Sequence, residues 1–238
     1  MDYLRSTLEE MENHKVVALE VSGGRDSIAA YRLLGKLPDN VFIVFLDTAD
    51  TPTETLDRMF ELNHKHEGHF VWLNSSSFKT RRDYGHPLPL ALSDLPIFSS
   101  APPTQTQFDC CTRSIMIPMH NAVVSLGATM IIRGVRDTDV HKSPVKHMDY
   151  IDGIRYAYPV YDRTDEDINI ICSDMLPSFY EHMTTAPDCL TCTGYWGTGH
   201  QKWLDVAYPV LATERRERIT ALLSYIEPVL RIGFKEIE

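Results

Sequence analysis

The chain opens with an alternation that few folds can accommodate. Short apolar runs of strand length, "KVVALEV" (15–21), "NVFIVFLDTAD" (40–50) and "HFVWLN" (69–74), are separated by two segments with the spacing of amphipathic helices. In the first helical segment Ile28, Ala29, Tyr31, Leu33 and Leu34 suit one face, and in the second Leu56, Met59, Phe60 and Leu62 do, with Thr53 as a cap. The order β-α-β-α-β predicts parallel strands joined by right-handed crossovers, and hence an α/β fold. Ligands in such sheets sit beyond the carboxyl ends of the strands, where the Ser22 loop and Asp47 both fall.

That first loop reads "SGGRDS" (22–27). A helix beginning there exposes backbone N–H groups whose partial positive charge favours an anion, most often phosphate. Gly23 and Gly24 allow close backbone approach, and the hydroxyls of Ser22 and Ser27 add donors. The competing reading is a plainly capped helix, since Asp26 and Ser27 are both good caps.

Composition narrows the setting. With 238 residues, 43% of them hydrophobic, the chain can bury one substantial core, and one domain is the expectation. No run of about 18 apolar residues occurs, and "MDYLRSTLEEMENHK" reads as an acidic amphipathic helix rather than a signal sequence, so a soluble, cytoplasmic protein that is not membrane-bound is expected. A formal net charge of −10 argues against a broad nucleic-acid footprint while leaving a local basic pocket open. Five cysteines in such a chain read as metal ligands or reactive thiols rather than as disulfides.

Farther along, residues 74–109 carry Ser-, Arg- and Pro-rich patches without steady periodicity, and are expected to form a long insertion or lid. Helix returns at "RSIMIPMHNAVVSLG", closed by Gly127, and "ATMIIRGVR" supplies a further strand, giving a sheet of at least four. Thr164 or Asp165 should cap a helix, after which the chain reads as largely helical, with no internal repeat. From the residues alone Arg133 and Arg136 read as a solvated loop; an anion contact is implied only by a family resemblance, with the loop placed at a strand end. The histidines of "HKHEGH" (64–69) read as solvated surface, and Cys172 as a buried small hydrophobe.

Taken together, six segments resemble one family. "SGGRDS" is similar to the PP-loop of the N-type ATP pyrophosphatases, and "FLDTADTPTET" (45–55) resembles a stretch of the phosphoadenosine phosphosulfate (PAPS) reductase family, with Ala49 in place of its usual glycine. "CCTRSIMIPMHNAV", "IIRGVRDTD", "YPVYDRTDEDI" and "APDCLTCTGYW" resemble further segments of that family in the same order. The resemblance implies a single α/β domain over 1–238: a doubly wound, mostly parallel, Rossmann-like sheet of the adenine-nucleotide α-hydrolase type. Its nucleotide-binding core would span 15–160, and a helical C-terminal part, 161–238, would carry the Cys-x-x-Cys. It also implies roles: Ser22, Gly23, Gly24, Arg25, Asp26 and Ser27 at phosphate or pyrophosphate, Asp47 and Thr48 near the nucleoside, and Gly134 and Arg136 at the sulfate or phosphate end.

Cys110 and Cys111 are adjacent, Cys189 and Cys192 form a Cys-x-x-Cys, and 77 residues separate the two pairs. Four thiolates can hold zinc or an iron–sulfur cluster. Adjacent side chains converge awkwardly on one small tetrahedral ion, whereas a cubane offers each sulfur its own iron. The spacing also resembles the cluster-binding adenosine phosphosulfate (APS) reductases, which implies a [4Fe-4S] centre, with Zn2+ as the alternative.

Two features depart from the reductases. Their nucleophilic cysteine lies in a C-terminal Glu-Cys-Gly-x-His motif, but residues 193–238 hold no cysteine, and "SGGRDS" keeps the pyrophosphatase form. Three readings therefore stand: a sulfonucleotide reductase-like oxidoreductase taking its thiol from a protein partner; an ATP pyrophosphatase-type transferase, similar to DNA phosphorothioation or tRNA thiolation enzymes, using Mg2+ with ATP; and a non-catalytic nucleotide-binding subunit. The expected ligand is ATP, APS or PAPS. Catalytic residues, the acceptor and direct nucleic-acid binding stay open.

Overall fold

The computed structural model describes residues 2–89, 104–139 and 143–237, the last of these without the side chains at 225, 229, 230 and 232–237. In chain order the elements are α1 (Tyr3–Met11), β1 (Val17–Glu20), α2 (Arg25–Leu34), β2 (Val41–Asp47), α3 (Thr53–Lys65), β3 (Phe70–Asn74), α4 (Ser77–Tyr84), β4 (His86–Leu88), β5 (Thr104–Thr106), α5 (Gln107–Cys111), a π turn (Thr112–Met116) and α6 (Ile117–Ser125). They continue as β6 (Met130–Ile132), β7 (Tyr150–Ile151), β8 (Ile154–Ala157), α7 (Asp165–Cys172), a 3-10 turn (Ser178–Glu181), α8 (His200–Ala207) and α9 (Pro209–Ile237). The chain divides into two compact units: Met1–Asp47 with Thr53–Asn74 and Ile117–Ser178, and Thr48–Pro52 with Ser75–Met116 and Phe179–Glu238.

The first unit is an α/β fold built on a six-stranded sheet in the order β3-β2-β1-β6-β8-β7, parallel except for β7. Val17, Ala18 and Leu19 of β1 are fully buried, as a central parallel strand covered on both faces requires. The sheet core joins Leu19, Ile43, Phe45, Met59 and Ile132, and a second cluster packs Ile28 and Ala29 of α2 against Val160, Ile168 and Cys172. Cys172 is buried as expected, its thiol donating to the Ile168 carbonyl at 2.7 Å. Thr164 caps α7 in a reciprocal box with Asp167, and Gly127, at φ +72°, closes the turn after α6. Strand order reverses between β1 and β6, so the crevice at their carboxyl ends is the topological switch point of the sheet.

The six strands agree with a sheet of at least four and add the β7–β8 hairpin. Its turn is Asp152-Gly153, both at positive φ (51° and 84°), which is the chemistry of a tight two-residue hairpin.

In the second unit the expected long insertion or lid has secondary structure and buried residues of its own. Residues 77–84 form α4, capped by Ser76, and β4 pairs in parallel with β5. Arg81 (4% exposed) and Leu88 (2%) lie inside this unit. Residues 90–103 of that expected lid lie outside the described residues. Of the helical C-terminal part, 161–238, α7 belongs to the first unit and α8 and α9 to the second; between the 3-10 turn and α8 the chain makes turns, and these carry Cys189 and Cys192. Phe179, Met183, Leu190, Trp203, Leu204 and Ala212 form a core there.

Candidate functional site

At the switch point of the first unit the loop after β1 meets the loop after β6. Gly23 stands at φ +82°, and a Cβ there would lie 2.5 Å from the Thr55 side chain, so only glycine fits. Gly134 is tighter still: a Cβ would lie 2.4 Å from the Asp26 carbonyl and 2.5 Å from the Ser27 nitrogen. The β6 loop thus presses against the first turn of α2. Gly24 is the N-cap of α2 and provides no side-chain cap; Ser27 Oγ instead donates to the Gly24 carbonyl at 2.8 Å and accepts from the Ser22 N–H at 3.2 Å. The competing reading, with Asp26 as a cap, is not taken up. The Asp26 carboxylate pairs with Arg136 Nε at 2.8 Å.

Arg136 is 5% exposed, and its Nη1 also meets Asp165 Oδ1 at 2.7 Å, while Arg25 Nη2 meets the same oxygen at 2.8 Å. Burial raises the Asp26 pKa, with Arg136 and Arg25 pulling the other way. The Arg136 hydrogen bond holds that of Asp165 down. Two guanidiniums and two carboxylates therefore alternate beside the helix terminus. Arg133, read with Arg136 as an anion contact, binds Glu20 through two hydrogen bonds of 2.6 and 3.0 Å. Asp165 and Thr55 were not singled out from the sequence. Asp165 was seen only as a helix start, which its position as the first residue of α7 explains.

Of the other expected nucleotide residues, Asp47 ends β2, next to β1 in the sheet, at the carboxyl side. Thr48 belongs to the second unit, where its N–H donates to Thr51 Oγ1 at 3.1 Å and its own Oγ1 meets the Asp188 carbonyl at 3.2 Å and the Cys189 thiol at 3.4 Å.

In the second unit one pocket is lined by Cys110, Cys111, Cys189 and Cys192 together with Arg81, Asp188 and Tyr195. The sequence pairs, 77 residues apart, are thus brought to one place. Thr106 caps α5, and the π turn follows directly after Cys111, with Ser114 Oγ donating to the Cys110 carbonyl at 2.6 Å. The Cys189–Tyr195 loop is tied from several sides. Asp50 Oδ2 accepts from the Thr191 N–H (3.1 Å) and hydroxyl (2.8 Å) and from Arg81 Nη2 (2.9 Å). Arg215 Nε donates to the Cys192 carbonyl and its Nη2 to the Tyr195 carbonyl, each at 2.7 Å. Gly194 passes within 3.1 Å, measured from an added Cβ, of Gln107 on α5.

Burial raises the pKa of every one of these thiols, and for Cys111 the neighbouring Asp188 and the other three cysteines add to it. Cys192 is pushed up to about 12. Without a cation the four would stay protonated. Among the described residues no three His, Cys, Asp or Glu side chains converge as a single metal ion demands.

No family model and no curated protein matches the sequence. Among solved structures, a PAPS reductase from Candida auris in a phosphate complex is similar over 73% of this chain and 79% of its own, at 12% identity and a TM-score of 0.51. An NH3-dependent NAD synthetase from Campylobacter jejuni in complex with nitrate aligns over 92% and 90%, at 13% identity and a TM-score of 0.48. No helix among the described residues is long and apolar enough to cross a membrane. The chain therefore shares its α/β fold with a PAPS reductase.

Proposed function

We propose that the protein is an adenine-nucleotide enzyme of the PP-loop type, whose Ser22–Ser27 loop holds the nucleotide's phosphates. The observation that carries this is the switch-point crevice, where the α2 terminus lacks a side-chain cap and Gly23 and Gly134 have no space for a Cβ. Ser22, Gly23, Gly24, Arg25, Asp26 and Ser27 are assigned to phosphate, Asp47 to the nucleoside side, and Gly134 and Arg136 to the ligand's anionic end. The loop keeps its aspartate, the pyrophosphatase form, which supports release of pyrophosphate from ATP, carried with Mg2+. A second reading, a sulfonucleotide reductase-like enzyme in sulfur metabolism, is favoured by the fold likeness to a PAPS reductase and needs a thiol from elsewhere. The experiment is anaerobic incubation with ATP, APS and PAPS separately, scoring pyrophosphate, sulfite and AMP. Pyrophosphate from ATP supports the first reading and sulfite with added thiol the second; binding without turnover would leave a nucleotide-binding subunit.

The cysteine pocket fits a [4Fe-4S] cluster by its donor set: four soft thiols on one cavity, each disfavoured as an anion unless a cation is present. A single zinc, kept as the alternative, would need ligand sulfurs only about 3.8 Å apart, from Zn–S bonds near 2.3 Å. When bound, such a cluster supplies redox-capable iron and a fixed charge; Cys110, Cys111, Cys189 and Cys192 would ligate it. Iron and acid-labile sulfide in anaerobically prepared protein, lost in Cys189→Ala, are expected. Stoichiometric zinc without sulfide would replace the cluster by the alternative.

A further inference from the structure

The second unit holds another cavity, whose lining shares only Tyr195 with the cysteine pocket: a groove of about 570 Å3 between the 195–199 turn, α8 and α9. Its described lining includes Lys202, Arg215 and Arg216 and neither aspartate nor glutamate, in a chain with a formal net charge of −10. Trp196, Ile219 and Leu223 give it an apolar wall. The turn enters α8 through Gly199 at φ +86°, where a Cβ would stand 1.9 Å from the His182 carbonyl oxygen, so the helix N-terminus faces the groove by a route only glycine can take.

Unpartnered polar atoms gather here. The Trp196 indole N–H is buried without a hydrogen bond among the described residues, and of the two buried ring nitrogens of His200 one has only the Leu190 carbonyl, outside good geometry. His200 is 1% exposed, held between the rings of Tyr195 and Trp203 at centroid distances of 5.8 Å. Burial, with Arg215 adding to it, keeps the imidazole neutral, its pKa lowered to about 3, and the Leu190 carbonyl draws its one proton. A neutral imidazole then presents a lone pair on its other nitrogen, which seeks a donor. The indole, the first-turn amides of α8 and the Lys202 ammonium can only donate, and seek acceptors.

A phosphate monoester meets both needs, since it carries acceptor oxygens and, with a second pKa of about 6, can bind as the monoanion, about a tenth of it at pH 7, which keeps a P–O–H. Sulfate and carboxylate offer acceptors alone. We propose that this groove is a second ligand site, taking an organic phosphate monoester with its phosphate at the Gly199–Lys202 turn and an apolar body against Trp196 and Leu223.

The probe is phenyl phosphate, read by the indole ¹⁵N–¹H resonance of Trp196 in the full chain, assigned with Trp196→Phe. The resonance should move saturably, with sulfate and benzoate about tenfold weaker or worse, a difference of about 1.4 kcal/mol. Lys202→Ala, at an exposed position, should weaken binding about threefold. Ser22→Ala protein should titrate unchanged, which separates this groove from the nucleotide loop. No saturable movement up to about 10 mM, a binding free energy no better than about −2.7 kcal/mol, would overturn the proposal. So would equal affinity for sulfate, indifference to Lys202→Ala, or loss in Ser22→Ala.

Discussion

Replacing Asp50 with alanine removes the acceptor on which the cysteine loop of the second unit is fixed. Three donors converge on one carboxylate oxygen: Arg81 Nη2 at 2.9 Å and the Thr191 N–H and hydroxyl at 3.1 and 2.8 Å. Both side chains of the ion pair are 3% exposed. Removing one partner leaves a guanidinium buried without its carboxylate, which costs about 3–5 kcal/mol. The two stranded Thr191 donors add about 1 kcal/mol or more, because one of them is a buried N–H that water cannot reach. Against a total stability of about 5–15 kcal/mol this is a large fraction. Urea denaturation of anaerobically purified protein should show the loss as a lower midpoint at unchanged slope. The double variant Asp50→Leu, Arg81→Met should recover much of it, since an apolar pair of similar volume carries no unpaired charge. A cost under about 1 kcal/mol for Asp50→Ala, or a double variant no better than the single, would refute the reasoning.

Gly134→Ala forces a methyl group onto the Asp26–Ser27 backbone at 2.4–2.5 Å, atoms that cannot rotate away. Overpacking of about 1–3 kcal/mol should lower the thermal midpoint by roughly 5 °C and weaken nucleotide binding with it; an unchanged midpoint would show that the two loops are not in contact. Asp165→Asn removes a carboxylate, two-thirds exposed, that Arg25 and Arg136 share. Pyrophosphate should then bind about threefold tighter, the scale of an exposed ion pair, and weaker binding measured by calorimetry would count against an anion site there. His200, with its pKa lowered to about 3 in the folded protein, is neutral there while the unfolded chain protonates near 6.5. Its contribution is therefore complete above 6.5 and is lost as pH falls toward 3, by up to about 1.4 kcal/mol per unit. The urea midpoint followed from pH 7 to 4 should show this fall in the wild-type protein and a shallower one in His200→Asn.

What the sequence discloses depends on how local the signal is. The β-α-β-α-β pattern and the Ser22 loop rest on periodicities within a few residues, and the sheet follows them. The Asp152-Gly153 hairpin was equally local and simply lacked the long apolar flanks that draw attention, since β7 has two residues, both exposed. Residues 75–89 concealed α4 because "SFKTRRDY" has no apolar stripe: what it buries is Arg81, paired with Asp50 across 31 positions. No period in a sequence announces such a pair. The same is true of Asp165, whose position at a helix start shows in the sequence and whose two arginine partners do not. The cysteines were legible as a set, and the structure adds the Thr48, Asp50, Arg81 and Arg215 contacts that fix their loops.

The most direct test of the central claim is calorimetry of the anaerobically prepared full chain with ATP, APS and PAPS, repeated on Ser22→Ala. At least one of these nucleotides should bind, and loss of a hydroxyl donor to a charged phosphate, worth about 1.5–3 kcal/mol, should weaken it about 10- to 100-fold with the thermal midpoint unchanged. Binding of none of the three, or equal affinity in Ser22→Ala, would contradict the assignment of the switch-point loop to nucleotide phosphate.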